Sequence, residues 1–157
     1  MMGQPLYSGD TSMLINAWRK HYPPDIFPTV WDRIDSLIQS GVVISTDEVR
    51  VELEKKDDEL YAWAKQRPGL FVPIDGPIQI LVSQIMTDHP RLVDTRTNRS
   101  AADPFVVALA QQRTCAVVTD ETPTGSTSKP NIPDVCAALG IRFMRLVDVF
   151  REQGWAI

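Results

Sequence analysis

The sequence predicts an α/β fold in which a central parallel sheet is covered by helices on both faces. Two features carry that expectation. Strand-like and helix-like segments alternate along the 157 residues, the order produced by repeated strand–helix–strand units. Several strands, Val42-Val43-Ile44 and Cys115 to Thr119 among them, are continuous apolar runs. Such runs belong to strands buried on both faces. Right-handed crossovers follow.

The elements are punctuated by proline, glycine and capping residues. Pro5 to Gly9 reads as a short strand ending at Asp10, and residues 12–21 read as a helix stopped by Pro23-Pro24. Residues 28–40 form an amphipathic helix with the stripe Val30, Ile34, Leu37 and Ile38, opened by Pro28 and closed by Gly41. After the strand at Val42 to Ile44, one helix is expected from about Thr46 to Gln66. Ser45 and Glu48 give it a capping-box start. Residues 67–77 read as a loop with one extended piece, 78–88 as a helix, and 90–102 as a polar irregular stretch. A helix follows Asp103-Pro104, then the strand Cys115 to Thr119 and a surface loop at 121–131. Pro133 to Leu139 is a helix closed by Gly140. Ile141 to Leu146 is a strand, and a last helix runs to about Gln153.

Composition narrows the function. With 43% apolar and 23% charged residues, the chain suits one soluble domain over residues 1–157. No apolar run reaches the ~18 residues of a membrane span. The opening MMGQPLYSGD lacks the basic and apolar regions of a signal peptide, so a cytoplasmic protein is expected. Cys115 and Cys136 lie in apolar runs and read as buried thiols rather than zinc ligands. A net charge of −4 excludes nucleic-acid binding by overall charge. Such a role needs a local basic patch or a metal in an acidic pocket.

Ligands of an open parallel sheet bind beyond the carboxyl ends of its strands. Acids recur there: Asp10 after the first strand, Glu48 and Glu52 on the helix after the second, Asp103 at a loop–helix turn, and Asp120 and Glu121 after CAVVT. Two carboxylates ~5 Å apart repel by about 3 kcal/mol at an effective dielectric of about 20. Convergence therefore asks for a cation or for shared protons. Carboxylate oxygens suit Mg²⁺ or Mn²⁺, and phosphodiester hydrolysis is the natural chemistry. Each acid also has a local structural role open to it. Asp10 and Asp103 sit at N-cap positions, Glu48 in a capping box, Glu52 four residues before Lys56, Asp120 and Glu121 in a polar loop, and Asp134 in a helix's first turn.

The succession of motifs resembles a PIN domain, the fold of VapC toxins of bacterial toxin–antitoxin pairs. Asp10-Thr11-Ser12-Met13-Leu14-Ile15 resembles the family's first acid with a Ser or Asn two residues on. Thr46 to Leu53 resembles its strand-to-helix segment, whose Glu falls on Glu52. Ala102 to Ala110 resembles its third acid, Asp103, with a small apolar helix behind it. Cys115 to Glu121 resembles its strand ending in T-x-acid, matching Thr119 and Glu121 with Asp120 between them. RKHYPPDIFPTVWD and NIPDVCAALGI look like one poorly characterised PIN subfamily, and the likeness covers nearly the whole chain. In two places the chain differs from the family pattern: its first strand is the polar Tyr7-Ser8-Gly9, and its fourth acid is a Glu.

The resemblance implies a PIN-like three-layer sandwich with a parallel sheet of four to five strands. It implies a Mg²⁺- or Mn²⁺-dependent endoribonuclease, the toxin of a pair with an antitoxin partner, and a homodimer. Asp10, Glu52, Asp103 and Glu121 would be catalytic, and Asp10, Asp103 and Glu121 or Asp120 would be metal ligands. Ser12, Thr119, Asp134 and Glu48 would support them. Arg19, Lys20, Arg96 and Arg99 are the expected RNA-binding residues, beside Arg91. The alternatives are a housekeeping RNA-processing PIN nuclease and a catalytically decayed PIN domain used for binding. A receiver-like phospho-acceptor is disfavoured, since Leu146-Val147-Asp148 offers no Lys after the last strand.

Overall fold

Tyr7–Gly9 (β1) is the middle strand of a five-stranded sheet in the computed structural model, which describes residues 4–93 and 101–157. The other strands are Val43–Thr46 (β2), Phe71–Val72 (β3), Ala116–Val118 (β4) and Phe143–Met144 (β5). Their order is β3-β2-β1-β4-β5, and every pair is parallel. The α/β parallel-sheet fold expected from the sequence is therefore present.

Between β1 and β2 lie Thr11–Asn16 (α1), a π-helical turn at Ala17–His21, and Pro28–Gln39 (α2). Asp47–Lys56 (α3) and Asp58–Lys65 (α4) lead to β3. Gly76–Asp88 (α5) and Asp103–Arg113 (α6) lead to β4. Ile132–Leu139 (α7) precedes β5, and Leu146–Glu152 (α8) ends the chain. The chain steps one way from β1 to β3, then returns to the other side of β1 for β4 and β5. Crossovers of one hand then put α1–α4 on one face and α5–α7 on the other. Consistently, α2 and α3 lie against β2, and α6 lies against β1, β2 and β4.

Strands as short as these are held by what they bury. Val117 and Val118 in β4, Ile44 in β2, Val106 and Leu109 in α6, and Val49 and Leu53 in α3 are all buried in one core. The polar first strand is satisfied rather than weak. Ser8 donates to the Val106 carbonyl at 3.0 Å, Ser45 of β2 donates to the Gly9 carbonyl at 2.7 Å, and the Tyr7 hydroxyl donates to Glu152 at 2.6 Å. These three hydroxyls thus each have a partner. A Cβ at Gly9 would meet the Met13 methyl, so the strand passes α1 too closely for a side chain.

Three expected elements differ from the structure. The single helix over 46–66 is two helices broken at Asp57, whose backbone is extended and whose carboxylate caps α4 at the Leu60 N–H. The expected helix over 12–21 leaves α-geometry at Ala17 and continues as the π-turn. The strand over 141–146 shrinks to Phe143–Met144, because Arg145 already precedes α8. Among the described residues no helix is long and apolar enough to cross a membrane.

Candidate active site

The order reverses between β1 and β4, and the carboxyl ends of those two strands bring Asp10 beside Thr119. The Asp10 side chain is 2% exposed. It caps α1 by accepting the Met13 N–H at 2.8 Å, and it accepts the Thr119 hydroxyl at 2.6 Å and the Ser12 hydroxyl at 2.9 Å. The two hydroxyls are themselves held from β4's exit: Ser12 Oγ accepts the Asp120 N–H at 3.1 Å, and Thr119 Oγ1 accepts the Glu121 N–H at 3.1 Å. One side chain thus ties the ends of two adjacent strands and a helix start together.

Asp10 opens onto a cleft of about 210 Å³ shared with Glu52, Asp103, Glu121 and Lys56. Glu52, on α3, accepts the Thr11 hydroxyl at 2.6 Å and stands 4.0 Å from Lys56. Asp103 is buried at the first position of α6, where Pro104 follows it. Glu121 accepts the Ile132 N–H at 3.0 Å, which fixes it to the start of α7. The four acids thus come from four elements and meet in one cleft.

Their protonation reflects the crowding. Burial pushes the Asp10 carboxyl up from 3.8 to about 7; its hydrogen bonds oppose this, and the charge of Glu121 adds to it. Burial also raises Glu121, against its hydrogen bond to Ile132 and with help from the charges of Asp134 and Glu52. Among the described residues no three acidic, histidine or cysteine side chains are arranged, as they stand, to hold a metal ion. The donor chemistry nevertheless fits a hard divalent cation: carboxylate oxygens line the cleft, and one of them is costly to ionise without a counter-charge. Binding would require the carboxylates to draw inward, and their mutual repulsion opposes this until a cation is present.

The other expected site residues are placed as follows. Asp120 turns away from the cleft: it accepts Asn16 Nδ2 at 2.7 Å and lies 3.3 Å from His21 Nε2. Of the two adjacent acids, Glu121 alone lines the cleft. Asp134 is used structurally, accepting the N–H groups of Thr124, Gly125 and Asn131. Burial pushes it up, but these bonds outweigh that and bring it down to about 2. Glu48 sits in the first turn of α3, half-buried and outside the cleft. Thr46 rather than Ser45 caps that helix. Arg19 does not face solvent as a free cation. Its guanidinium forks onto buried Asp57 at 2.6 Å through both Nε and Nη2. Lys20 is exposed beside a second groove. Arg96 and Arg99 lie outside the described residues.

Three contributors escaped the sequence reading. Thr11 positions Glu52, Asn16 positions Asp120, and Lys56 lines the cleft. Helical spacing carried part of the signal, since Asn16 stands four residues after Ser12 and shares its face.

Fold and site together define a parallel α/β protein with an acidic cleft at the switch point of its sheet. The chain belongs to the family described as "Domain of unknown function (DUF4411)", whose model matches residues 7–157. A search of curated proteins finds no match to the sequence. Among solved structures, "Crystal Structure of FitAcB from Neisseria gonorrhoeae" is similar over 88% of this chain and 96% of that chain, with 19% identity and a TM-score of 0.47.

Proposed function

We propose that the chain is a divalent-metal-dependent endoribonuclease of the PIN type. The observation that carries the reading is the buried Asp10 carboxyl at the switch point, sharing one cleft with Glu52, Asp103 and Glu121. The motif resemblance places a PIN nuclease's acids on these same four residues.

Asp10, Glu52, Asp103 and Glu121 are the residues that would hold the ion. When bound, Mg²⁺ or Mn²⁺ supplies Lewis-acid polarisation of a phosphodiester and activation of a water. The chain's own groups do the positioning. Ser12 and Thr119 hold Asp10 in one rotamer, Thr11 holds Glu52, and the Ile132 N–H holds Glu121. Asp10 is almost fully shielded from water, which strengthens charge interactions at its carboxyl. No side-chain nucleophile is required.

The motif resemblance further supports a toxin role, with an antitoxin as protein partner and a homodimeric chain. A non-catalytic binding module is the second reading, favoured by the lack of a ready-made three-residue metal set among the described residues. Incubating the purified chain with total cellular RNA separates the two. Cleavage with Mn²⁺ that stops in EDTA supports the nuclease, whereas intact RNA under all conditions rejects it.

A further inference from the structure

The acidic cleft occupies one side of α1, and a larger groove of about 480 Å³ occupies the next. Helical spacing explains the division. Thr11, Ser12, Ile15 and Asn16 line the cleft, while Met13 and Ala17, one step of about 100° further round, line the groove. Beyond Asn16 the chain widens into the π-turn, closed by the Tyr22 N–H donating to the Ala17 carbonyl at 2.8 Å. Such turns recur at functional sites. This one brings Lys20 and His21 to the groove's rim, and Arg145 joins them from the start of α8. Met13, Tyr22 and Val147 supply apolar and aromatic surface. Asp120 bonds to Asn16 and faces His21, so it joins the π-turn to the end of β4.

Charge adds to the case, although Asp120 also lines the groove. Several cations elsewhere are neutralised: Arg19 by Asp57, Arg67 by Asp35, Arg142 by Glu152 and Arg151 by Asp148. Among the described residues no ion pair holds Lys20 or Arg145. Two unneutralised cations over an apolar floor, one helix turn from an acidic cleft, match a nucleotide, which has an anionic phosphate and a flat apolar base.

Resting on the ribonuclease reading, we propose that this groove seats one nucleotide of single-stranded RNA, adjoining the phosphodiester that lies in the acidic cleft. Lys20 and Arg145 hold its phosphate, and its base lies on Met13, Tyr22 and Val147. Duplex RNA is excluded because its bases stay stacked.

Binding of a short fluorescein-labelled single-stranded RNA is measured in EDTA, where no cleavage intervenes. The wild type is compared with the Lys20→Ala/Arg145→Ala double variant and with Val147→Glu. The double variant should bind about tenfold more weakly, and its log–log salt slope should flatten by about 0.7, as for one lost phosphate contact on a single strand. Val147→Glu should weaken binding with an unchanged melting temperature. As a second readout, a nucleoside monophosphate should shift the assigned Met13 and Val147 methyl resonances. Wild-type affinity and slope in the variants, with unmoved methyl signals, would overturn the groove assignment even if the protein cuts RNA. That is also the result expected if the groove serves a peptide partner. Weakened binding and shifted methyls in a protein that never cuts RNA would support the groove and overturn the nuclease reading.

Discussion

Asp10→Asn is the perturbation whose consequence the structure specifies most closely. Asparagine keeps the shape and the oxygen that caps α1 at the Met13 N–H. It removes a carboxyl that burial holds at about 7 instead of 3.8. In the metal-free protein the folded chain keeps a proton on Asp10 between those two values, where the unfolded chain has lost it. Stability from this group is therefore complete below 3.8, falls as pH rises through the window, and is gone above about 7. The interval corresponds to at most about 4 kcal/mol at neutral to alkaline pH. The asparagine amide nitrogen cannot accept from the Thr119 and Ser12 hydroxyls as a carboxyl oxygen does, and turning those hydroxyls round takes back about 1–2 kcal/mol of that. Asp10→Asn should thus be more stable than wild type by about 2 kcal/mol at alkaline pH, roughly 6 °C in melting temperature. The advantage should shrink to nothing in acid. Thermal melts by circular dichroism in EDTA, from about pH 4 to about pH 8.5, check this. Parallel pH profiles for the two proteins would refute the account of a carboxyl strained by burial.

Three further outcomes follow from the contacts. Thr119→Val keeps the volume but removes a buried hydroxyl that serves both Asp10 and Glu121; it should cost about 2 kcal/mol in urea unfolding and lower the cleavage rate. Glu121→Gln should lose RNA cleavage while Asp120→Asn retains most of it, because only Glu121 lines the cleft; equal losses in a gel assay would contradict that division. Arg19→Ala should lower the melting temperature, since it strips buried Asp57 of its partner, and should leave RNA affinity unchanged; loss of binding in a filter assay would return Arg19 to the substrate rim.

Much of the fold was legible because burial on both faces writes an apolar run into the strand itself, as in Val117-Val118 and Val43-Ile44. Pro28 and Gly140 likewise marked helix ends where the structure has them. Local patterns could not show contacts made across the chain. The break at Asp57 depends on Arg19, which is 38 residues earlier, so residues 46–66 read as one helix. The same pairing hid the fact that Arg19 is already committed. The recurrence of acids after strands was visible, but which acid turns into the cleft was not. Asp120 and Glu121 are neighbours, and their division is fixed by Asn16 on one side and the Ile132 N–H on the other. Asp134 looked like part of the cluster because it begins the helix beside it, yet its oxygens are taken by the N–H groups of the 124–131 loop. The polar Ser8 was unusual for a central strand until the Val106 carbonyl supplied its acceptor.

In the proposed reaction Asp10 and its neighbours cut RNA with a divalent ion. Cleavage of one labelled single-stranded RNA by wild type and Asp10→Asn, each with Mg²⁺, with Mn²⁺ and with EDTA, tests it most directly. Wild type should cut with a divalent ion and not in EDTA, and Asp10→Asn should not cut under any condition although it remains folded. Equal cutting by both proteins, or wild-type cutting that survives EDTA, would contradict it.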